Sequence, residues 1–380
     1  MLNQPLPNCP FTPAILHLEL AILSCVYIAY AMTKSINQPY WVKTDDWHTA
    51  GEPFRIVQEL PLHCESTNAI ASTSLTVAQR RQEIIDTPSH PIDLLRQVLC
   101  KEPRGHADMY GGFIVPSNDP DAHFGVLFFH KDGFSTACGH GTIALGCWAI
   151  TKGLVEAPRN GEVDMIIDVP SGRVTAKVAM KDGKIDCVHF INVPSYQVAA
   201  NISVKLPDMR EVTVDLGWGG ATYAFVDAAQ LGLDVEPQRH DDFVALGRQI
   251  KAKLGDAARH KDLDLYGVCF YQHLDETAEA LTQRNCVVFA DGQVDRSPCG
   301  SGTAARVAVL LAQGRLANGK KLIHKSIIDT TFEAVVGIDS PSPTSDPGCV
   351  PRVTGLAHLM GEHRFWIDEA DPTYPGFLFR

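Results

Sequence analysis

Two short stretches hold the residues whose types and spacing suit chemistry. Residues 138–144 read Cys-Gly-His-Gly-Thr-Ile-Ala, and residues 299–305 read Cys-Gly-Ser-Gly-Thr-Ala-Ala. Both fit Cys-Gly-x-Gly-Thr-x-Ala, and both open a mostly apolar run that reads as a helix. A cysteine at a helix start sits among free backbone N–H groups at the positive end of the dipole, which favours its thiolate. The same N–H groups bind anions, carboxylates included. Each motif therefore offers a base and an anion cradle. Two of them facing one substrate would set a base and an acid on opposite faces of one carbon. That arrangement moves a proton off and onto an amino-acid α-carbon without a cofactor. It requires one thiolate and one thiol at once, so the two titrations are coupled.

Other readings of these residues compete. A single cysteine before glycine is usually a small buried side chain. A phosphate-binding loop would end in Gly-Lys-[Ser/Thr] or follow GxGxxG, and neither stretch does. Cys138, His140 and His130 together lack a standard metal-ligand spacing. Asp295, four residues before Cys299, is either a turn or cap residue or a contact for a substrate amine. His48, in Trp47-His48-Thr49-Ala50-Gly51-Glu52-Pro53, could act as a base. More often such a histidine holds a turn, and that stretch reads as a polar turn.

The elements around these motifs fall into two similar groups. Strands are expected at 54–57, 113–115 and 124–130 before the first cysteine helix at 139–152. A helical stretch at 75–100, broken by Pro88 and Pro91, precedes the second of these strands. From 161 to 230 the pattern is β-rich, with strands at 165–169, 173–180, 185–192, 211–216 and 223–226. An amphipathic helix at 239–258, strands at 265–271 and 285–290, and the Cys299 helix follow. Residues 340–352 are rich in Pro, Ser and Asp and read as an exposed loop. A last short strand is expected at 364–368. Two halves, each with strands around a buried central helix, fit this order better than regular strand–helix alternation. The expected class is α+β. The expected division is an extension at 1–36, a first half at 37–205 to which 365–380 returns, and a second half at 206–364.

With 380 residues the chain can build two sizeable cores. Hydrophobic residues make up 45% and charged residues 20%, which suits a water-soluble globular protein. A net charge of −11 argues against a nucleic-acid surface. It also leaves an anionic substrate to be held by local donors. The eleven cysteines have irregular spacing and no CxxC pair, so free thiols in a reducing compartment are expected. The apolar stretch at 14–32 has no Lys or Arg before it, unlike a secretory signal, and its thirteen-residue uncharged run at 20–32 is short for a membrane span. It is treated as outside the fold. The cytoplasm is the expected location; a genuine signal there would instead mean secretion or membrane anchoring.

Asp-Arg-Ser-Pro-Cys-Gly-Ser-Gly-Thr at 295–303 and Ala-Cys-Gly-His-Gly-Thr at 137–142 resemble the paired motifs of the proline racemase superfamily. That superfamily includes proline racemases, 4-hydroxyproline 2-epimerases and trans-3-hydroxy-L-proline dehydratases. The resemblance runs from residues 46–57, through 102–116 and 191–196, to the C-terminal Pro-Gly-Phe-Leu. It implies the diaminopimelate-epimerase fold, two halves each wrapping a sheet around a central helix. It implies Cys138 and Cys299 as the acid/base pair. The backbone N–H groups of Gly139, His140, Gly300 and Ser301 would hold the substrate carboxylate, and the His140 and Asp295 side chains the ring nitrogen. No cofactor or metal is expected; the partner is a small molecule, proline or hydroxyproline, with a homodimer left open. Dehydratases of this family typically carry Thr where this chain has Cys299, because eliminating water needs a base on one face only. Inversion needs both, so Cys299 favours a racemase or epimerase. Residues 120–141 and 219–226 look closest to the dehydratases, which keeps that reaction as the alternative. A non-catalytic amino-acid-binding protein is the third reading.

Overall fold

The computed structural model describes residues 38–317 and 319–379. The apolar run at 14–32 and the expected extension lie outside the described residues. The chain opens with a hairpin, β1 (Tyr40–Thr49) and β2 (Glu52–Val57). Only Ala50 and Gly51 form the turn, both with positive φ. That is a two-residue hairpin turn whose twist matches its strands. The stretch from Trp47 to Pro53, expected to be a polar turn, is therefore mostly strand.

Helices α1 (Val77–Asp86) and α2 (Pro91–Cys100) then carry the chain over to β3 (Tyr110–Val115), which runs parallel to β2. Thr76 and Gln79 cap α1 reciprocally, and Pro91 starts α2 at a position where its missing N–H costs nothing. β4 (Phe124–His130) is antiparallel to β3, and the short β5 (Gly133–Phe134) folds back on β4. Helix α3 (Gly139–Thr151) leads to β6 (Gly161–Val169), parallel to β4. β7 (Gly172–Lys181) and β8 (Lys184–Ile191) complete an antiparallel meander. β9 (Tyr196–Lys205) then leaves this sheet.

The second half repeats every one of these relations. β10 (Glu211–Trp218) and β11 (Thr222–Asp227) form a hairpin. Helix α4 (His240–Leu254) leads to β12 (Gly267–Glu276), parallel to β11. β13 (Ala280–Phe289) is antiparallel to β12 and carries the short β14 (Gln293–Val294). Helix α5 (Gly300–Ala312) leads to β15 (Lys321–Lys325), parallel to β13, followed by β16 (Thr331–Ser340) and β17 (Gly348–Gly355). The last strand, β18 (Ala357–Ile367), crosses back to pair with β1, while β9 pairs with β10. β8 and β17 join the two sheets into one strip. Residue 205 is thus the last of a strand that belongs by pairing with β10.

Each sheet curls around one apolar helix. Ile143, Leu145 and Trp148 of α3 are fully buried among Ile167, Ala176, Val188 and Phe190. Val307 and Leu310 of α5 meet Leu281, Leu322, Phe332 and Val353 in the same way. Such a helix shows no solvent-facing polar stripe, and the charged residue of α5, Arg306, is itself buried, over the Tyr271 ring and donating to Gln283 Oε1 at 3.0 Å. Each fully buried Leu, Ile or Phe contributes about 1.5–3 kcal/mol to holding that position.

The differences from expectation lie mainly in strands. The segment 340–352 is not all loop: β17 starts at Gly348. β18 is longer than the expected 364–368. It is an edge strand with most of its side chains exposed, so burial imposes no apolar alternation on it. Among the described residues no helix is long and apolar enough to cross a membrane.

Candidate active site

The N-termini of α3 and α5 abut. A methyl group added at Gly139 would lie 2.5 Å from Gly300 Cα, and one at Gly300 would lie 2.6 Å from Gly139 Cα. Only two glycines allow the two helix starts to come this close. Their backbones also bring Ser301 N within 2.7 Å of the Gly139 methyl position and His140 N within 3.0 Å of that at Gly300. The first-turn N–H groups of both helices, which have no partner inside their helices, therefore converge on one junction.

The second glycine of each motif has a different task. A methyl at Gly141 would strike Cys138 Sγ at 2.7 Å, and one at Gly302 would strike Cys299 Sγ at 2.9 Å. These glycines make room for the sulfur of their own turn. The threonines anchor the turns: Thr142 Oγ1 donates to Cys138 O at 2.7 Å and Thr303 Oγ1 to Pro298 O at 3.0 Å. His324 Nδ1 lies 2.7 Å from Thr303 Oγ1, and the Asn285 side-chain amide donates to Pro298 O, so the α5 start is gripped from β13 and β15.

A small cavity lies at this junction. Cys138, His140, Asp295, Cys299 and Ser301 line it, together with Tyr110, Ala137, Tyr223, Tyr266 and Phe289. Its free volume is about 10 Å³, room for about one water molecule. That is far smaller than a five-membered-ring amino acid. Cys138, His140, Asp295, Cys299 and Ser301, singled out from the sequence, meet here, with Gly139 and Gly300 at the junction beside them; His130 does not line the cavity, and neither does His48. That histidine sits on β1, where its Nδ1 accepts the Gly51 N–H at 3.3 Å, and it serves the hairpin turn.

The two cysteines are not equivalent. Cys138 has extended backbone (φ −153°), and its Sγ accepts the Gly141 N–H at 3.2 Å. His140 Nδ1 lies 3.5 Å from the same sulfur. Cys299 is held at φ 63°, a region β-carbon-bearing residues avoid at a cost of about 1–3 kcal/mol. Its Sγ donates to the Tyr223 hydroxyl at 3.6 Å, and that hydroxyl lies 2.7 Å from Ser301 Oγ.

Burial decides the charges. Both thiols are pushed well above the ordinary cysteine range, first by desolvation. The Gly141 N–H opposes this at Cys138, and the nearby Asp295 charge adds to it at both sulfurs. The helix starts alone favour thiolates; desolvation outweighs them at both sulfurs and favours the thiol. Burial likewise lowers His140 to about 3, so its imidazole is neutral. Asp295 is raised to about 6 by burial, against the Ser297 hydroxyl and N–H that its Oδ1 accepts at 2.7 and 2.8 Å.

Tyr110, Tyr223, Tyr266, Phe289 and the buried Glu52 were not singled out from the sequence. Tyr110 and Tyr266 have a visible trace: each is followed by glycine at the head of an equivalent strand, β3 and β12. Their hydroxyls are 3.3 Å apart, and Tyr110 also hydrogen-bonds Ser135. Desolvation holds both phenols protonated. Among the described residues no group of three or more His, Cys, Asp and Glu is placed to hold a metal ion.

Comparison with known proteins places this chain in a family. A family model described as proline racemase matches residues 45–378. The chain is 36% identical over 345 residues to a trans-3-hydroxy-L-proline dehydratase of Azospirillum brasilense, covering 89% of this chain and 98% of that protein. It is 36% identical, over 345 residues and the same shares of each chain, to a 3-hydroxyproline 2-epimerase of Burkholderia multivorans. A crystal structure of a hydroxyproline epimerase from Agrobacterium vitis with bound trans-4-hydroxy-L-proline superposes with a TM-score of 0.78. It has 26% identity and covers 89% of this chain and 95% of that one. With its two sheet-wrapped helices and a family match over nearly the whole described chain, the protein belongs to the proline racemase family.

Proposed function

We propose that the protein inverts the α-carbon of proline or a hydroxyproline by proton transfer between Cys138 and Cys299. The observation that carries this reading is the pair of thiols at two abutting helix N-termini, lining one cavity. The substrate carboxylate is held by the N–H groups of Gly139, His140, Gly300 and Ser301, and the ring amine by Asp295 and His140. As the α-proton leaves, negative charge spreads into the carboxylate, where those N–H groups and both helix dipoles stabilise it. The cysteine on one face takes the proton as thiolate, and the one on the other face gives its proton as thiol. The His140 ring and the Tyr223 hydroxyl lie against the two sulfurs and give each a polar neighbour.

Dehydration of trans-3-hydroxy-L-proline is the second reading, favoured by the dehydratase at 36% identity. The protonated phenols of Tyr110 and Tyr266 line the cavity and offer a proton to a departing hydroxide. Incubation with L-proline, trans-4-hydroxy-L-proline and trans-3-hydroxy-L-proline, read by chiral chromatography, separates the two. The expected product is the Cα epimer. Pyrroline-2-carboxylate from the 3-hydroxy substrate, with no epimer from any of the three, would replace inversion by dehydration.

The pH profile has a definite sign. Below about 6 Asp295 gains a proton and loses its hold on the amine. With both thiols raised by burial, the thiolate fraction still grows with pH beyond the usual cysteine range. Thus kcat/KM should climb with pH, by about tenfold per unit where one thiol limits the rate. A flat profile from pH 6 to 9 would mean that a thiolate is already formed in the free enzyme.

A further inference from the structure

Glu52 opens β2 and is fully buried. Its Oε2 accepts the backbone N–H of Arg296 at 2.7 Å. That N–H belongs to the peptide joining Asp295 to Arg296, so the bond runs from the first half to the peptide of a cavity residue in the second. Arg296 is held again from the first half by Asp108, whose Oδ2 lies 2.8 Å from its Nη2. The other oxygen of Glu52, Oε1, is buried and has no hydrogen-bond partner among the described residues.

We propose that Glu52 is a positioning residue: reaching across the boundary between the halves, it fixes the peptide that follows Asp295 and so holds that carboxylate where the substrate amine must lie. The charged groups facing it are Asp295, Arg296 and Asp108. Burial, then the charge of Asp295, raises its acidity constant well above the carboxylate range, against the Arg296 N–H and guanidinium. Burial beside Asp295 thus favours the neutral acid at Glu52 over a second carboxylate there. A charge on Glu52 would also oppose a thiolate on Cys138. Because Glu52 lies in the first half and Asp295 in the second, the bond ties the amine site to the contact between the halves.

This inference rests on the proposed placement of the substrate amine at Asp295, and its test separates the two. Glu52→Ala and Glu52→Gln are compared with the unaltered protein by calorimetry, using L-proline and tetrahydrofuran-2-carboxylate, the ring analogue with oxygen in place of the amine. Glu52→Ala should weaken proline by about tenfold, the weight of one well-placed polar interaction, and the analogue by less than about twofold. Glu52→Gln, uncharged and still an acceptor for the Arg296 N–H, should bind both nearly as the unaltered protein does. Equal weakening of both ligands by Glu52→Ala would reduce Glu52 to a fold support. No weakening at all, or a Gln variant as poor as the Ala variant, would likewise overturn the proposal. If the Ala variant does not fold, Glu52→Asp, one methylene shorter, takes its place with the same expectations. If the unaltered protein binds no proline, the proposed function fails instead. The infrared carboxylic-acid band of Glu52, lost in Glu52→Gln, then still reports whether it is neutral; absence of that band contradicts the inference independently of any substrate.

Discussion

Replacing either Cys138 or Cys299 by serine is expected to lower the rate of inversion by about 10³–10⁴-fold, at the upper end of what a positioned acid or base contributes. A hydroxyl is far less acidic than a thiol and cannot supply the anionic base near neutral pH. The fold should be almost untouched, because serine fills nearly the same buried volume at both positions. Circular dichroism and the thermal midpoint should therefore stay close to those of the unaltered protein while turnover disappears. The two replacements should diverge only for dehydration. If a 3-hydroxy substrate is accepted, Cys299→Thr should retain elimination and lose inversion, since elimination needs a base on one face. Undiminished inversion in Cys299→Ser would remove Cys299 from the chemistry.

Gly139→Ala is expected to damage both stability and activity. The added methyl would sit 2.5 Å from Gly300 Cα and 2.7 Å from Ser301 N, and these are backbone atoms that cannot rotate away. The two helix starts must move apart, which costs about 1–3 kcal/mol in a packed interior. The larger effect is on the site. A shift of about 1 Å between groups that share one substrate lowers the rate by about 10²-fold. Gly300→Ala should behave alike, because its methyl meets Gly139 Cα at 2.6 Å. Alanine at Gly153, where nothing lies within 4 Å but φ is positive, should cost some stability and no activity. Thermal unfolding and steady-state kinetics on the three variants check this contrast.

Much of this was written in the chain. The repeated Cys-Gly-x-Gly-Thr motif marks both central helices, because a helix buried on all sides is mostly apolar on all sides. The repeat also announces two halves. The strands at the edges were harder to see. Of the eleven residues of β18 only Ala357 and Ile367, at its two ends, are buried and seven are exposed, so no alternation survives. That β9 crosses to the second sheet and β18 to the first is a property of pairing, which local patterns do not carry.

The site was legible in part for the same reason. Cys138, His140, Asp295, Cys299 and Ser301 stand in or beside the motifs. Tyr110, Tyr223 and Phe289 reach the cavity from three different strands, and only tertiary structure brings them together. The upward push of burial on both thiols is not visible in the motifs. The helix dipole is a local feature, whereas the burial that outweighs it depends on both halves closing. Glu52 was hidden in a stretch that looks like a polar turn, and its partner Arg296 is more than two hundred residues away.

The most direct test of proton transfer between two thiols is the fate of the α-hydrogen in deuterated water during the first few per cent of turnover. With separate acid and base on opposite faces, the inverted product carries deuterium from the second cysteine, while substrate recovered at the same time remains protonated. Mass spectrometry of the two separated epimers reads this outcome. Equal deuterium in recovered substrate and product, or product that keeps the original proton, would mean that a single base serves both faces and would contradict the account.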